Sequence, residues 1–116
     1  MFMATEVAHA QQASHNQLFL DSIDPAKFPD WIVTAAFYKA VHLAEGLLVR
    51  KGCPTGNHSK RNDTLKRHFP SVWRAYRPLY NQSRVARYWC VSIYPTAVAQ
   101  AHARLAAIEA AITAIP

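Results

Sequence analysis

Glycine and cysteine are both scarce in this chain. Of its 116 residues, three are glycine and two are cysteine. Loops that cradle phosphates, such as the P-loop and the dinucleotide-binding fingerprint, need several closely spaced glycines. Cys53 and Cys90 do not form a CxxC motif, and two thiols do not make a disulfide framework or a thiolate zinc site. We therefore predict neither nucleotide hydrolysis by such loops nor a cysteine-based structure.

The sequence also lacks a long apolar run. No stretch approaches the roughly 20 uninterrupted apolar residues that cross a bilayer. Near the start of the chain, Glu6 and His9 interrupt the apolar core that a signal peptide would need. We therefore predict a cytoplasmic protein with no membrane segment.

Motifs that bind metal ions are missing as well. Six histidines are present, but they form no HExxH motif and no paired His/Cys spacing. Carboxylates, which often complete such sites, are absent where the histidines are densest. We predict no metal ion and no cofactor.

The residues that are abundant favour helices. Alanine has the lowest free-energy cost in a helix, and a chain of this length can bury one core. The composition is 51% hydrophobic and 17% charged, which is more apolar than average and favours a helical dimer. Apolar spacing predicts one all-α domain over residues 1–116. Its predicted helices are 5–20, 31–51, 59–68, 72–86 and one that follows Pro95.

The predicted helix ends depend on capping residues, glycine and proline. Gly52 followed by Pro54 predicts the end of the second helix. The third helix is predicted to begin near Ser59. Pro78 removes one backbone hydrogen bond from the fourth, which predicts a kink or a short break. The predicted N-caps are Thr5, Asp30, Ser71 and Thr96.

Acidic residues are nearly absent from the middle of the chain. From Arg50 to Arg87 there are ten basic residues against one acid, Asp63, so the local charge is +9. Basic side chains without carboxylate partners repel one another unless an anion compensates. Aromatic residues alternate with these charges, as on surfaces that bind single-stranded nucleic acid. Alternatively, the aromatic residues form core and the basic residues form a solvated face.

Polar residues at helical spacing are candidates for a site. Tyr38 and His42 are four residues apart, so both side chains can reach one polar site. His58 and Arg61 are three apart, and Arg61 and His68 are seven apart, which places each pair on one helix face. The N-terminus of that helix would add N–H donors for a phosphate.

A second group of candidates lies in the fourth predicted helix. Ser83 and Arg87 are four residues apart, which places a hydroxyl beside a guanidinium. Arg84 and Tyr88 follow them directly. The predicted phosphate- or nucleic-acid-binding residues are Tyr38, His42, Ser83, Arg84, Arg87 and Tyr88.

Three segments, taken in order, resemble the HEPN (higher eukaryotes and prokaryotes nucleotide-binding) family. They are DWIVTAAFYKAVHLAE at 30–45, His58-x-x-Arg61, and Tyr80-x-x-Ser83-x-x-Ala86-Arg87-Tyr88. The resemblance covers residues 7–115. It implies a four- to five-helix up-and-down bundle that commonly forms a homodimer. Many members are metal-independent ribonucleases of toxin, defence or RNA-processing systems.

The resemblance also implies roles for individual residues. Active members carry an arginine followed by a histidine after four to six residues, and Arg61 with His68 fits this form. In such a site His68 or His58 would exchange the proton of an RNA 2′-hydroxyl. Arg61 and Arg87 would hold the charge that develops on the phosphorus. The predicted catalytic groups are Arg61, His68 and His58.

Other interpretations remain open at this point. The same polar residues can form a structural network that ties a loop to the bundle. Some HEPN domains are inactive, so the chain can also be a non-catalytic interaction module that partners a nucleotidyltransferase-like protein or an antitoxin. DNA binding has no helix-turn-helix signature to support it. The sequence predicts a helical domain associated with RNA or a nucleotide, and leaves its catalytic activity open.

Overall fold

Five α-helices and no strand make up residues 4–89 and 92–116, the part of the chain that the computed structural model describes. The predicted all-α class and the four- to five-helix bundle are confirmed. Cys53 is a partly buried free thiol, and Cys90 lies outside the described residues. The helices are α1 (Glu6–Ser22), α2 (Pro29–Arg50), α3 (His58–His68), α4 (Pro70–Tyr88) and α5 (Thr96–Thr113).

α2 lies at the centre of the bundle. It packs against α1, α4 and α5, and α4 also packs against α3 and α5. The alanines at 36, 40 and 44 are fully buried, which lets neighbouring helices approach closely. α2 is long and apolar enough to cross a membrane, but most of that stretch is buried by other helices, as in the core helix of a soluble protein. Core residues outside α2 include Leu20, Leu65, Val72, Tyr76, Leu79, Ala101, Leu105 and Ile108.

Two predicted helix ends are confirmed. The hydroxyl of Thr5 caps α1 by accepting a hydrogen bond from the backbone N–H of Ala8 at 3.1 Å. Gly52 follows α2 with φ of 76°, a conformation that costs glycine little. The N–H of Cys53 then bonds the carbonyl of Leu48 at 2.8 Å, closing a Schellman motif. This motif turns the chain back over α2.

The predicted starts of α2 and α4 are wrong by two residues. Both helices begin with a proline, Pro29 and Pro70, so that Asp30 and Ser71 lie inside the first turn and are not N-caps. Proline suits the first helical position because it has no N–H to leave unpaired and its φ is already helical. This preference overrides the capping preference of a neighbouring side chain.

The predicted starts of α3 and α5 are wrong by one residue. Asn57 caps α3 by accepting a hydrogen bond from the N–H of Lys60 at 2.8 Å, so the helix begins before Ser59. α5 begins at Thr96, which is therefore not its cap. α4 continues through Pro78 as one helix, so the proline does not break it.

Candidate anion-binding site

A buried ion pair joins α2 to α3. Nε of Arg61 lies 3.0 Å from Oε1 of Glu45, and both side chains are less than a tenth exposed. The loop between the helices closes over the carboxylate, because the N–H groups of Thr55 and Gly56 donate to it at 3.3 and 3.2 Å. The Thr55 hydroxyl also donates to Glu45. The pair therefore fixes both the loop and the start of α3.

The carboxylate of Glu45 is stabilised in its ionised form. Burial alone would raise the pKa of Glu45, but hydrogen bonds from Thr55, the charge of Arg61 and the N–H of Gly56 together lower it. The charge of Arg61 is thus compensated inside the protein. Glu45 was not among the predicted site residues, although an acid inside a long apolar helix indicates a buried partner.

His58 lies directly beside this pair. Nη1 of Arg61 donates a hydrogen bond to Nδ1 of His58 at 3.0 Å. The imidazole is 5.7 Å from the Phe37 ring and 6.1 Å from the Tyr80 ring, centre to centre. Because Arg61 is always a donor, Nδ1 must be the acceptor, and neutral His58 carries its proton on Nε2. His58 therefore presents an N–H donor at Nε2.

Three effects keep His58 neutral. Burial lowers its pKa most, and the positive charges of Arg61 and Arg87 lower it further. The ordinary pKa of histidine is about 6.5, so a lowered value leaves the ring uncharged at pH 7. The two arginines that lower the pKa of His58 belong to different helices, Arg61 to α3 and Arg87 to α4.

Arg87 of α4 is held by hydroxyl groups and aromatic rings. Its Nη1 donates to the hydroxyls of Tyr38 and Tyr88 at 3.1 and 3.2 Å. Its Nη2 donates to the hydroxyl of Ser83 at 3.3 Å, and its Cζ lies 5.0 Å from the centre of the Phe37 ring. Within the described residues, Arg87 forms no ion pair.

These contacts bring together five of the predicted residues, which we call the His58–Arg87 face. The hydrogen bond between Ser83 and Arg87 confirms the neighbourhood expected from their spacing of four. Tyr38 joins them from α2, 49 positions away in the sequence. Phe37 lies beneath the group and was not predicted. The members of the face are Tyr38, His58, Ser83, Arg87 and Tyr88.

His42 lies outside this face. Its Nδ1 is 3.0 Å from Nδ1 of His9 on α1, a contact between two helices that residue spacing does not predict. His42 and Tyr38 line one cleft of about 390 Å³ between α1 and α2, as their spacing of four predicted. The hydroxyl of Tyr38 also reaches Arg87, which makes Tyr38 the link between the cleft and the face.

His68 and Arg84 are not drawn into the face. His68 is exposed at the last turn of α3, and its side chain has no hydrogen bond with any described residue. Arg61 lies seven residues earlier, about 10 Å along the helix axis, and is buried. Arg84 is exposed on α4 and lies over the ring of Tyr80, 5.9 Å from its centre.

The two neutral histidines predict a dependence of stability on pH. Burial, His9 and Arg61 lower the pKa of His42, against an opposing effect of Glu45, and the pKa of His58 is lowered too. The unfolded chain therefore takes up protons at a higher pH than the folded chain, so stability falls as pH drops below about 6.5. Urea denaturation at pH 7.5, 6.5 and 5.5 measures this loss.

A matched pair of variants shows whether His42 contributes to the pH dependence of stability. His42→Gln is expected to reduce the dependence of the unfolding free energy on pH, because one of the two groups with a lowered pKa is gone. His102→Gln removes an exposed histidine of α5 and should leave the slope unchanged. Equal slopes in the wild type and His42→Gln would contradict this prediction.

The site offers hydrogen-bond donors from two helices. Over residues 4–89 and 92–116, no group of three or more His, Cys, Asp or Glu side chains is placed to share a metal ion. The donors are the guanidinium of Arg87 and the Nε2–H of His58.

Comparisons with protein-family models, curated proteins and solved structures found no match for the chain.

Proposed function

We propose that the chain is an RNA- or nucleotide-binding helical domain in which the His58–Arg87 face holds a phosphate group. The observation that carries the proposal is the environment of Arg87, a guanidinium without an ion-pair partner in the described residues. It lies near a neutral histidine that offers a further N–H. Four of the five N–H groups of Arg87 donate to Tyr38, Ser83 and Tyr88, so one N–H of Nη2 remains to donate to a phosphate oxygen in a charge-assisted hydrogen bond.

The charges around the face support an anionic ligand. Arg61 pairs with Glu45, Arg67 with Asp63, and Arg50 with Glu6. Most of the remaining basic side chains between 50 and 87 have no such compensation. Those that form no ion pair with a described residue include Lys60, Lys66, Arg74, Arg77, Arg84 and Arg87.

The position of the proton on His58 favours binding over cleavage. A general base must offer a lone pair to the 2′-hydroxyl of RNA. In neutral His58 the lone pair of Nδ1 accepts the hydrogen bond from Arg61, and Nε2 carries the proton. His68, the other histidine in the ribonuclease hypothesis, is exposed at the far end of α3. We therefore propose a binding domain that acts in the cytoplasm and needs no metal ion.

A second candidate function is that of an interaction module. Phe19, Phe28 and Trp31 are each about half exposed and line one cleft of about 480 Å³ between α1 and α2. Exposed apolar side chains that cluster in this way are typical of protein interfaces. The occupant would be a second copy of the chain, or a nucleotidyltransferase-like or antitoxin protein.

The test is a binding titration with a parallel cleavage assay. A fluorescein-labelled single-stranded RNA of 20 nucleotides is titrated in EDTA, with duplex DNA of the same sequence alongside. We expect saturable RNA binding that weakens as salt rises, with a slope of about 0.7 per phosphate contact in the logarithmic plot, and intact RNA after incubation.

Two results would count against the proposal. Absence of RNA and nucleotide binding at low salt would overturn it entirely. RNA fragments that appear in EDTA and are lost in His68→Ala or His58→Ala would replace the binding function with a ribonuclease activity. Loss of the fragments in a histidine variant excludes a contaminating nuclease. Fragments that persist in the exposed-site control Lys66→Gln show that the loss is specific to the histidine.

A further inference from the structure

A second basic cavity lies on the other side of α4. It is a groove of about 780 Å³ between α4 and α5, and residues 92–94, which lead into α5, also line it. Its α4 residues extend from Trp73 to Val85, a distance of about 18 Å along the helix. None of the residues of the His58–Arg87 face lines this groove.

The lining of the groove is basic and contains no acid. Arg74, Arg77 and Arg104 are among the lining residues, and none of the lining residues is an aspartate or a glutamate. None of these three arginines forms an ion pair with a described residue. Three like charges around one cavity repel each other, so an anion with several charges would be favoured there.

The groove is held in shape by hydrogen bonds between its two walls. Gln82 of α4 donates through Nε2 to the carbonyl of Ala97 on α5 at 3.0 Å. Its Oε1 accepts a hydrogen bond from Nη1 of Arg104 at 2.9 Å. The amide of Gln82 thus fixes the distance between the helices and holds Arg104 in the groove. The remaining N–H groups of that guanidinium stay available to a ligand.

The spacing of the arginines indicates the shape of the anion. Arg74 and Arg77 are one helix turn apart, about 4.5 Å along the axis, and Arg104 faces the same cavity from α5. A linear chain of two or three phosphates carries several charges within such a distance. Tyr94, which is 72% exposed, also lines the groove and can stack on a planar ring.

We infer that the α4–α5 groove is a binding site for a polyphosphate group, either of a free nucleoside triphosphate or of a 5′-triphosphorylated RNA. Arg74, Arg77 and Arg104 bind the phosphates, and Tyr94 packs against the attached base. The site shares no residue with the His58–Arg87 face, so it is independent of the function proposed for that face.

The test is calorimetric titration of the whole chain with inorganic triphosphate and with monophosphate at 150 mM salt. Triphosphate is expected to bind at least about 10-fold more tightly than monophosphate, because it reaches more than one arginine. Arg74→Gln/Arg77→Gln should weaken triphosphate binding about 10-fold or more. Lys66→Gln/Arg67→Gln, which removes two exposed charges outside the groove, is the matched control.

The result that would overturn the inference is equal weakening in the two double variants, since it would show that only net charge matters. Failure of triphosphate to saturate at millimolar concentration would also overturn it. The loss in Arg74→Gln/Arg77→Gln should be equally large when Arg87→Gln is also present, which separates this site from the proposed RNA-binding face.

Two further ligands identify the source of the polyphosphate. ATP is compared with an RNA that carries either a 5′-triphosphate or a 5′-hydroxyl. Tighter binding of the triphosphorylated RNA than of ATP, lost in Arg74→Gln/Arg77→Gln, identifies an RNA end. Equal or tighter binding of ATP, with the same loss, identifies a free nucleotide. Either result supports a polyphosphate site. The proposal is contradicted if ATP does not bind and the triphosphorylated RNA binds no better than its 5′-hydroxyl form.

Discussion

Replacement of Glu45 by glutamine is expected to lower the free energy of unfolding by about 3 kcal/mol. Removing one partner of a buried ion pair leaves the other charge uncompensated, which costs about 3–5 kcal/mol. We expect the lower end of that range because the loop residue Gly56 over the pair is exposed. Urea denaturation followed by circular dichroism at 222 nm measures the change.

Two comparisons show whether the loss of stability in Glu45→Gln comes from the uncompensated charge of Arg61. Arg67→Ala removes one partner of an exposed ion pair with Asp63 and should cost less than about 1 kcal/mol. Glu45→Met/Arg61→Met removes both buried charges and should be more stable than Glu45→Gln. If Glu45→Gln is no less stable than Arg67→Ala, the ion pair does not hold α3 to the bundle.

Replacement of Arg87 by glutamine is expected to weaken RNA binding by about 10- to 100-fold. Hydrogen bonds to a charged group contribute about 1.5–3 kcal/mol, and each 1.4 kcal/mol is a factor of ten in affinity. Arg87 is the partly buried guanidinium of the face, fixed by Tyr38, Ser83 and Tyr88. Fluorescence anisotropy with labelled single-stranded RNA measures the dissociation constants.

The control for Arg87 removes the same charge at an unconstrained position. Lys66→Gln, on the exposed side of α3, should weaken binding by no more than a few-fold. Arg87→Lys keeps the charge but loses the planar fork of donors, and should bind RNA more weakly than the wild type. Equal losses of RNA affinity in Arg87→Gln and Lys66→Gln would mean that binding depends on the net charge of the protein and not on the His58–Arg87 face.

Local patterns in the sequence were sufficient to predict most of the fold. Period and composition identify all five helices, and Gly52 marks the end of α2 because a left-handed residue is required there. Helix starts were less accurate. Pro29 and Pro70 occupy first helical positions, and sequence reasoning assigned the caps to the polar residues that follow them.

The site was predictable only where its residues are close in sequence. The pairs His58 with Arg61 and Ser83 with Arg87 lie within one helical turn, so their spacing placed them together. Glu45 lies 16 residues from Arg61, and their contact depends on how the intervening loop folds. Spacing alone was insufficient for His68, because Arg61 is buried whereas His68, seven residues later on α3, is exposed.

The most direct test of the account is the protonation state of His58, followed by ¹⁵N NMR during titration with single-stranded RNA. At pH 7 the ring should be neutral with its proton on Nε2, and the Nε2 resonance should shift as RNA binds. The shift should be absent in Arg87→Gln. A proton on Nδ1, or an Nε2 resonance that saturating RNA leaves unmoved, would contradict the proposal that this face binds phosphate.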